Sequence, residues 1–148
     1  KKKERNKRVD DHIVPLSKQA MALLEDIKPL TGHGKYVFPG QRRNGTHANS
    51  ESINKAIRNM GYCTKADQSF HGFRASATTM LNERLGFRVD WIEQQTGHSV
   101  KDSLGRAYNR TKHLEQRTGM IQDWADYLDN LKQQALAGNV VTGNFKSA

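Results

Sequence analysis

The chain has 148 residues, with 24 Lys and Arg against 15 Asp and Glu, a formal charge of +9 at pH 7. That length holds one domain with a real core, and no stretch approaches the roughly 18 apolar residues of a membrane span or follows a signal-peptide pattern. The single cysteine, Cys63, excludes an internal disulfide framework and a multi-cysteine zinc site and fits a reducing compartment, and the start at Lys1 rather than Met reads as an excised fragment.

Residues 1–8 hold six basic groups and one acid. They precede residues 9–16 (VDDHIVPL), whose β-branched side chains and closing Pro15 predict a strand ending a short hairpin. Ser17 is placed to cap a helix with Ala20, Leu23, Leu24 and Ile27 on one face and Pro29 as its stop. Residues 31–49, rich in Gly, Asn, Thr and His, read as loop around an apolar island at Tyr36, Val37 and Phe38, a candidate small strand. Ser50 is the expected cap of a second helix, with Ile53, Ala56, Ile57 and Met60 on its apolar face and Gly61 at its end. After a connector at 62–70, the register of Phe73, Ala77, Met80, Leu81 and Leu85 predicts a helix that Gly86 terminates. Asp90 is the expected cap of a short helix through about Gln95, with Gly97 as its stop. Residues 100–109 read as a helix with Val100, Leu104, Ala107 and Tyr108 on one stripe. The last helix is expected from about Leu114 to Ala135, facing inward with Ile121, Trp124, Ala125, Leu128 and Leu131, and residues 138–148 form a loose tail. The expected class is therefore α+β, mainly α-helical, with a small N-terminal antiparallel β-sheet or hairpin packed on a helical core.

The excess charge lies within residues 1–110, because residues 111–148 hold four basic and four acidic groups. Clustered Lys and Arg neutralise phosphates and release counterions, which points to a polyanion. A basic arm that only aids solubility fits the N-terminal run as well. Aromatics, at 7%, are few for a platform that stacks single strands, so duplex backbone is the expected ligand.

Four short motifs carry candidate chemistry. In His71-Gly72-Phe73-Arg74 the i, i+3 spacing puts His and Arg on one side of a helix's first turn, where the helix end favours anions and Arg offers a fork to phosphate. A capping His beside a surface Arg fits the same spacing. Thr96-Gly97-His98 sits at an interhelical turn, where His98 is either solvated or a donor to a phosphate oxygen. In Ala107-Tyr108-Asn109-Arg110 the tyrosine lies on an apolar stripe, as a core residue would, yet Arg106 and Arg110 flank it. A positive surrounding favours phenolate, the form in which a phenol is a usable nucleophile. Lys7 lies in the N-terminal basic run, where a lysine is ordinarily a solvated charge. A three-His metal site is a poor rival, since His71 and His98 are far apart and neither has a close His or Cys companion.

Their order is more specific than any one motif. HGFR, then TGH, then AYNR, preceded by a Lys hairpin leading into IVPLS, resembles the tyrosine recombinase family, and within it the phage and prophage integrases. The surrounding text agrees (YVFPG, SINKAI, FHGFRASATTML, AYNRTKHLEQRTGMIQDWADYL), and the resemblance covers about residues 7–131. It implies the DNA breaking-rejoining enzyme fold, with residues 1–135 as the catalytic domain and 136–148 as a flexible tail. By the same resemblance, Tyr108 attacks the scissile phosphate to form a 3′-phosphotyrosyl link and free a 5′-hydroxyl. Arg74 clamps the non-bridging oxygens, His98 bonds the same phosphate, His71 acts as base or orienting group near Tyr108, and Lys7 protonates the leaving oxygen, with Lys3 as the fallback. Arg42, Arg43, Arg106 and Arg110 are candidate DNA contacts.

No cofactor, metal or nucleotide energy source is implied. The expected partners are double-stranded attachment sites, other protomers in a recombination tetramer and DNA-bending accessory proteins, in the cytoplasm and with no membrane. The family uses two arginines, and the first, upstream of the Lys hairpin, has no match here: Arg5 and Arg8 lie in the hairpin itself. Losing one phosphate clamp costs on the order of 10²–10³ in rate, so the isolated chain is expected to be inactive or weak. The tail with Val140, Val141 and Phe145 is a candidate for exchange between protomers. A non-catalytic duplex-binding module of the same fold and a type IB topoisomerase-like enzyme are the alternative readings.

Overall fold

Ser17 ends an extended segment and starts the first helix. Its hydroxyl accepts the Ala20 amide at 3.2 Å, and its backbone is extended, as a capping residue requires. The computed structural model describes residues 12–40, 45–97 and 113–138. Five helices follow within them: α1 (Lys18–Thr31), α2 (Ser50–Asn59), α3 (Phe70–Glu83), α4 (Val89–Gln95) and α5 (Leu114–Leu136).

The expected small sheet is not there among the described residues, whose only β pairing is an isolated antiparallel bridge between Pro39 and His47. The described part of the expected first strand, from His12 on, is bonded to α5 and to the end of α4 instead. Arg117 Nη2 donates to the Ile13 carbonyl at 2.5 Å, and His12 Nε2 donates to the Gln95 carbonyl at 3.3 Å. Pro15 has no N–H to offer a ladder. Tyr36 to Phe38 likewise forms no strand, the bridge lying just after it at Pro39.

Helix boundaries follow capping chemistry more closely than apolar spacing. Asn49 rather than Ser50 caps α2, accepting the Ser52 amide at 2.8 Å. Ser69 caps α3 by accepting the Gly72 amide at 3.0 Å, so α3 begins three residues before the expected Phe73. Pro29 does not stop α1 but lies in its last turn, and Gly32 closes the helix by donating to the Lys28 carbonyl at 2.7 Å. Asp90 does not cap α4: Arg88 is the flanking residue, and Asp90 sits in the first turn, where a carboxylate favours the positive end of the helix.

Leu81 of α3, Ile92 of α4 and Met120 of α5 form the buried core, with Leu85, Phe87, Trp91, Ile121 and Trp124 packed around it. Leu128 and Leu131, expected on the inner face of α5, are exposed. At 23 residues α5 is about 34 Å long, and its residues from 128 to 136 are all exposed. α1 buries no residue completely. Polar bonds hold it to α5: Lys18 N to Gln122 Oε1 at 3.0 Å, and Gln19 Nε2 to Asp126 Oδ1 and Asp129 Oδ2 at 2.6 and 3.0 Å. No helix among the described residues is long and apolar enough to cross a membrane.

This packing sets unequal costs for truncation. Ile92→Ala, at a side chain 1% exposed, should lower unfolding free energy by about 2–5 kcal/mol in a urea titration. Leu23→Ala, 69% exposed although on the expected apolar face, should change it by no more than about 0.5 kcal/mol. Equal losses at the two positions would contradict the core described here.

Candidate functional site

The early start of α3 puts both His71 and Arg74 in its first turns. Two side chains hold this end of the helix: Ser69 accepts the Gly72 amide, and Asn54 of α2 accepts the Phe70 amide at 2.8 Å. His71 and Arg74 themselves are exposed.

Arg74 reaches from α3 to the end of α4. Its Nη2 donates to the Thr96 carbonyl, one of the carbonyls left without an intrahelical partner where α4 ends. A cation is favoured there by the negative end of the helix dipole. The bond joins two of the four motifs, HGFR and TGH, across 22 residues of sequence. A guanidinium has five N–H donors, so Arg74 keeps others for an anion. Thr96 is fixed in turn by its hydroxyl, which donates to the Ile92 carbonyl at 2.9 Å. Gly97 follows at φ +71°, a left-handed conformation that a side chain disfavours.

Lys7, the fallback Lys3, His98, Tyr108, Arg42, Arg43, Arg106 and Arg110 lie outside the described residues, as do the expected helix at 100–109 and the tail from residue 139. Of the expected catalytic groups, then, His71 and Arg74 are placed on one helix end, and Arg74 is placed against the turn that leads to His98. Among the described residues no cluster of three or more His, Cys, Asp or Glu is arranged to hold a metal.

Behind this turn lies a residue that the motif reading passed over. Arg117 of α5 is 0% exposed. Its Nε donates to Gln95 Oε1 at 2.9 Å and its Nη2 to the Ile13 carbonyl at 2.5 Å, while Nη1 has no partner among the described residues. Burial pushes its pKa down from the usual arginine value. The signal was in the spacing: Arg117, Met120, Ile121 and Trp124 occupy one helical stripe, and an arginine stands where an apolar residue is expected.

Asp90 ties the other end of α4 to the start of α5. The Arg88 fork bonds both its oxygens at 3.0 Å and holds its carboxyl below the usual carboxylate range, and His113 Nε2 lies 3.4 Å from Oδ2. His113 itself has φ +58° and flanks the first turn of α5.

Comparison with known proteins decides the family. The sequence matches the phage integrase family over residues 3–115. The chain belongs to that family. Its relatives include the integrase of Enterobacteria phage P4, 42% identical over 93% of this chain and 31% of the relative's length. The prophage integrase IntA of Escherichia coli K12 is 41% identical over 88% of this chain and 30% of its own length. The integrase of Shigella phage Sf6 is 33% identical over 80% of this chain and 30% of its own. This integrase-family chain therefore spans about a third of the length of the curated relatives it matches. No solved structure is a significant match. The family match includes Lys7, His71, Arg74, His98 and Tyr108 and ends two residues before Arg117.

Two tests bear on this geometry. Gly97→Ala should destabilise by about 1–2 kcal/mol, because φ is positive there. Gly119→Ala in the middle of α5, where a Cβ meets nothing within 4 Å, should stabilise by about 0.5–1 kcal/mol. Denaturant titrations in which both shift stability the same way would contradict the turn. Asp90 has a lower pKa folded than unfolded, so its ionised form contributes stability above about pH 4, and that contribution is lost as pH falls through the folded value. Asp90→Asn should accordingly lower Tm at neutral pH and match the parent in strong acid; a gap that persists unchanged into acid would contradict the Arg88 pairing.

Proposed function

We propose that the chain is the catalytic part of a longer site-specific recombinase that integrates and excises phage, prophage or genomic-island DNA. The observation that carries this reading is the bond from Arg74 to the Thr96 carbonyl, which brings the HGFR arginine to the first residue of TGH in a chain of the phage integrase family. Tyr108 Oη attacks the scissile phosphorus, forming a 3′-phosphotyrosyl ester as the bond to the 5′-oxygen breaks. Lys7 gives that oxygen its proton, and His71 takes up or orients the proton of the attacking phenol. Arg74 and His98 meet the charge that develops on the non-bridging oxygens.

The energy of the broken bond stays in the phosphotyrosyl ester. A 5′-hydroxyl from a partner duplex reverses the attack and rejoins the strands, so neither metal nor nucleotide is required. A further arginine upstream of Lys1 completes the phosphate clamp in this reading. The attachment-site duplex is bound by a tetramer of protomers, with DNA-bending accessory proteins, in the cytoplasm of the bacterial host. Arg42, Arg43, Arg106 and Arg110 add backbone contacts, whose loss would weaken binding across sequences alike.

The test is a nicked suicide duplex carrying the attachment site read from the junctions of the encoding element, mixed with the full-length protein. A covalent protein–DNA adduct should form, disappear in Tyr108→Phe, and form roughly 10²–10³-fold more slowly in Arg74→Ala. Duplex binding with no adduct from parent or Tyr108→Phe would make the chain a non-catalytic DNA-binding module instead.

A further inference from the structure

We infer that Arg117 is a positioning residue for strand cleavage, holding the turn before His98 in register with the segment that leads back to Lys7. The inference rests on the recombinase reading above. Arg117 donates to two acceptors that belong to different parts of the chain: Gln95, at the end of α4, and the Ile13 carbonyl. The same junction is bonded twice more without it. His12 donates to the Gln95 carbonyl, and Arg74 donates to the carbonyl of the next residue, Thr96. One buried guanidinium therefore sits where three segments meet: the start of α3 through Arg74, the end of α4, and the approach from the N-terminal run. Lys7 precedes His12 by five residues, and His98 follows Thr96 by two.

Stability alone does not explain an arginine at this position. Its neighbours on the stripe, Met120 and Trp124, pack in the apolar core, and a methionine or leucine in place of a buried ion is often neutral or stabilising. Among the described residues no carboxylate pairs with it and Nη1 has no partner. What the guanidinium supplies, and a methionine does not, is a rigid planar fork that sets two acceptors at a fixed separation and angle. Near-attack geometry is sensitive at that scale: a displacement of about 1 Å caused far from the reacting atoms lowers rate by roughly 10²-fold.

The experiment uses the full-length protein and the nicked suicide duplex at saturating concentration, recording the rate constant of adduct formation, its amplitude, and duplex affinity separately. Arg117→Met should keep duplex affinity while its rate constant falls roughly 10²-fold. Arg117→Lys should fall in between, since an ammonium reaches one acceptor but cannot hold both in a plane. Gln95→Met, which leaves Arg117 on Ile13, should show part of the loss and keeps the test decisive if Arg117→Met fails to fold. Adding Gln95→Met to Arg117→Met should lose nothing more, because the two act through one bond. An unchanged rate constant with a reduced amplitude in these variants would assign Arg117 to folding alone and overturn the inference. Absence of any adduct from the parent protein would overturn the recombinase reading, and this inference with it.

Discussion

A guanidinium buried with no carboxylate partner among the described residues constrains the segments near it. Arg117 is fully enclosed, and a charge so placed must be met by hydrogen-bond acceptors or the folded state does not form. The chain brings those acceptors from both sides, a side-chain amide from the end of α4 and a backbone carbonyl from the extended segment before α1. Each such bond is worth about 1.5–3 kcal/mol, against a desolvation cost of several kcal/mol for the ion. The net stabilisation is small, and the cohesion of the helices comes from Leu81, Ile92 and Met120. Arg117 instead decides where the extended segment lies.

The exposed site is built on that arrangement by helix ends. The start of α3 presents His71 and Arg74, and the end of α4 presents the Thr96 carbonyl to which Arg74 binds. One side chain thereby serves a structural acceptor and keeps donors for an anion, which suits an arginine and not a lysine. Asn54 and Ser69 fix the α3 end through two amides, so the position of Arg74 depends on caps as much as on its own bond.

The helices were largely legible in the sequence. Apolar spacing located four of them and an expected cap and glycine stop located α4, and glycines marked several ends, among them Gly61, Gly86 and Gly97, each with positive φ. Caps were harder, because Asn49 and Ser50 are equally good candidates by residue type and only the direction of the chain chooses between them. The strand expected through Val14 and Pro15 was misread for a definite reason. β-branched residues favour extended backbone, and the backbone here is free of helix, but pairing into a sheet also needs a partner strand, and the Ile13 carbonyl accepts from the Arg117 side chain instead. The ordered motifs carried the family. They did not carry Arg117, which a reading that treats arginine as a solvated charge passes over, although its helical register with Met120 and Trp124 marks it as inward-facing.

The central claim is that one buried guanidinium couples the segment before α1 to the turn after α4. Amide hydrogen exchange in the parent and in Arg117→Met measures this directly. The account predicts faster exchange at Ala20 and Met21, at the start of α1, together with Thr96 and Gly97, at the end of α4, while the amides of α2 are unchanged. Exchange that rises evenly over all helices, or at only one of the two places, would contradict it.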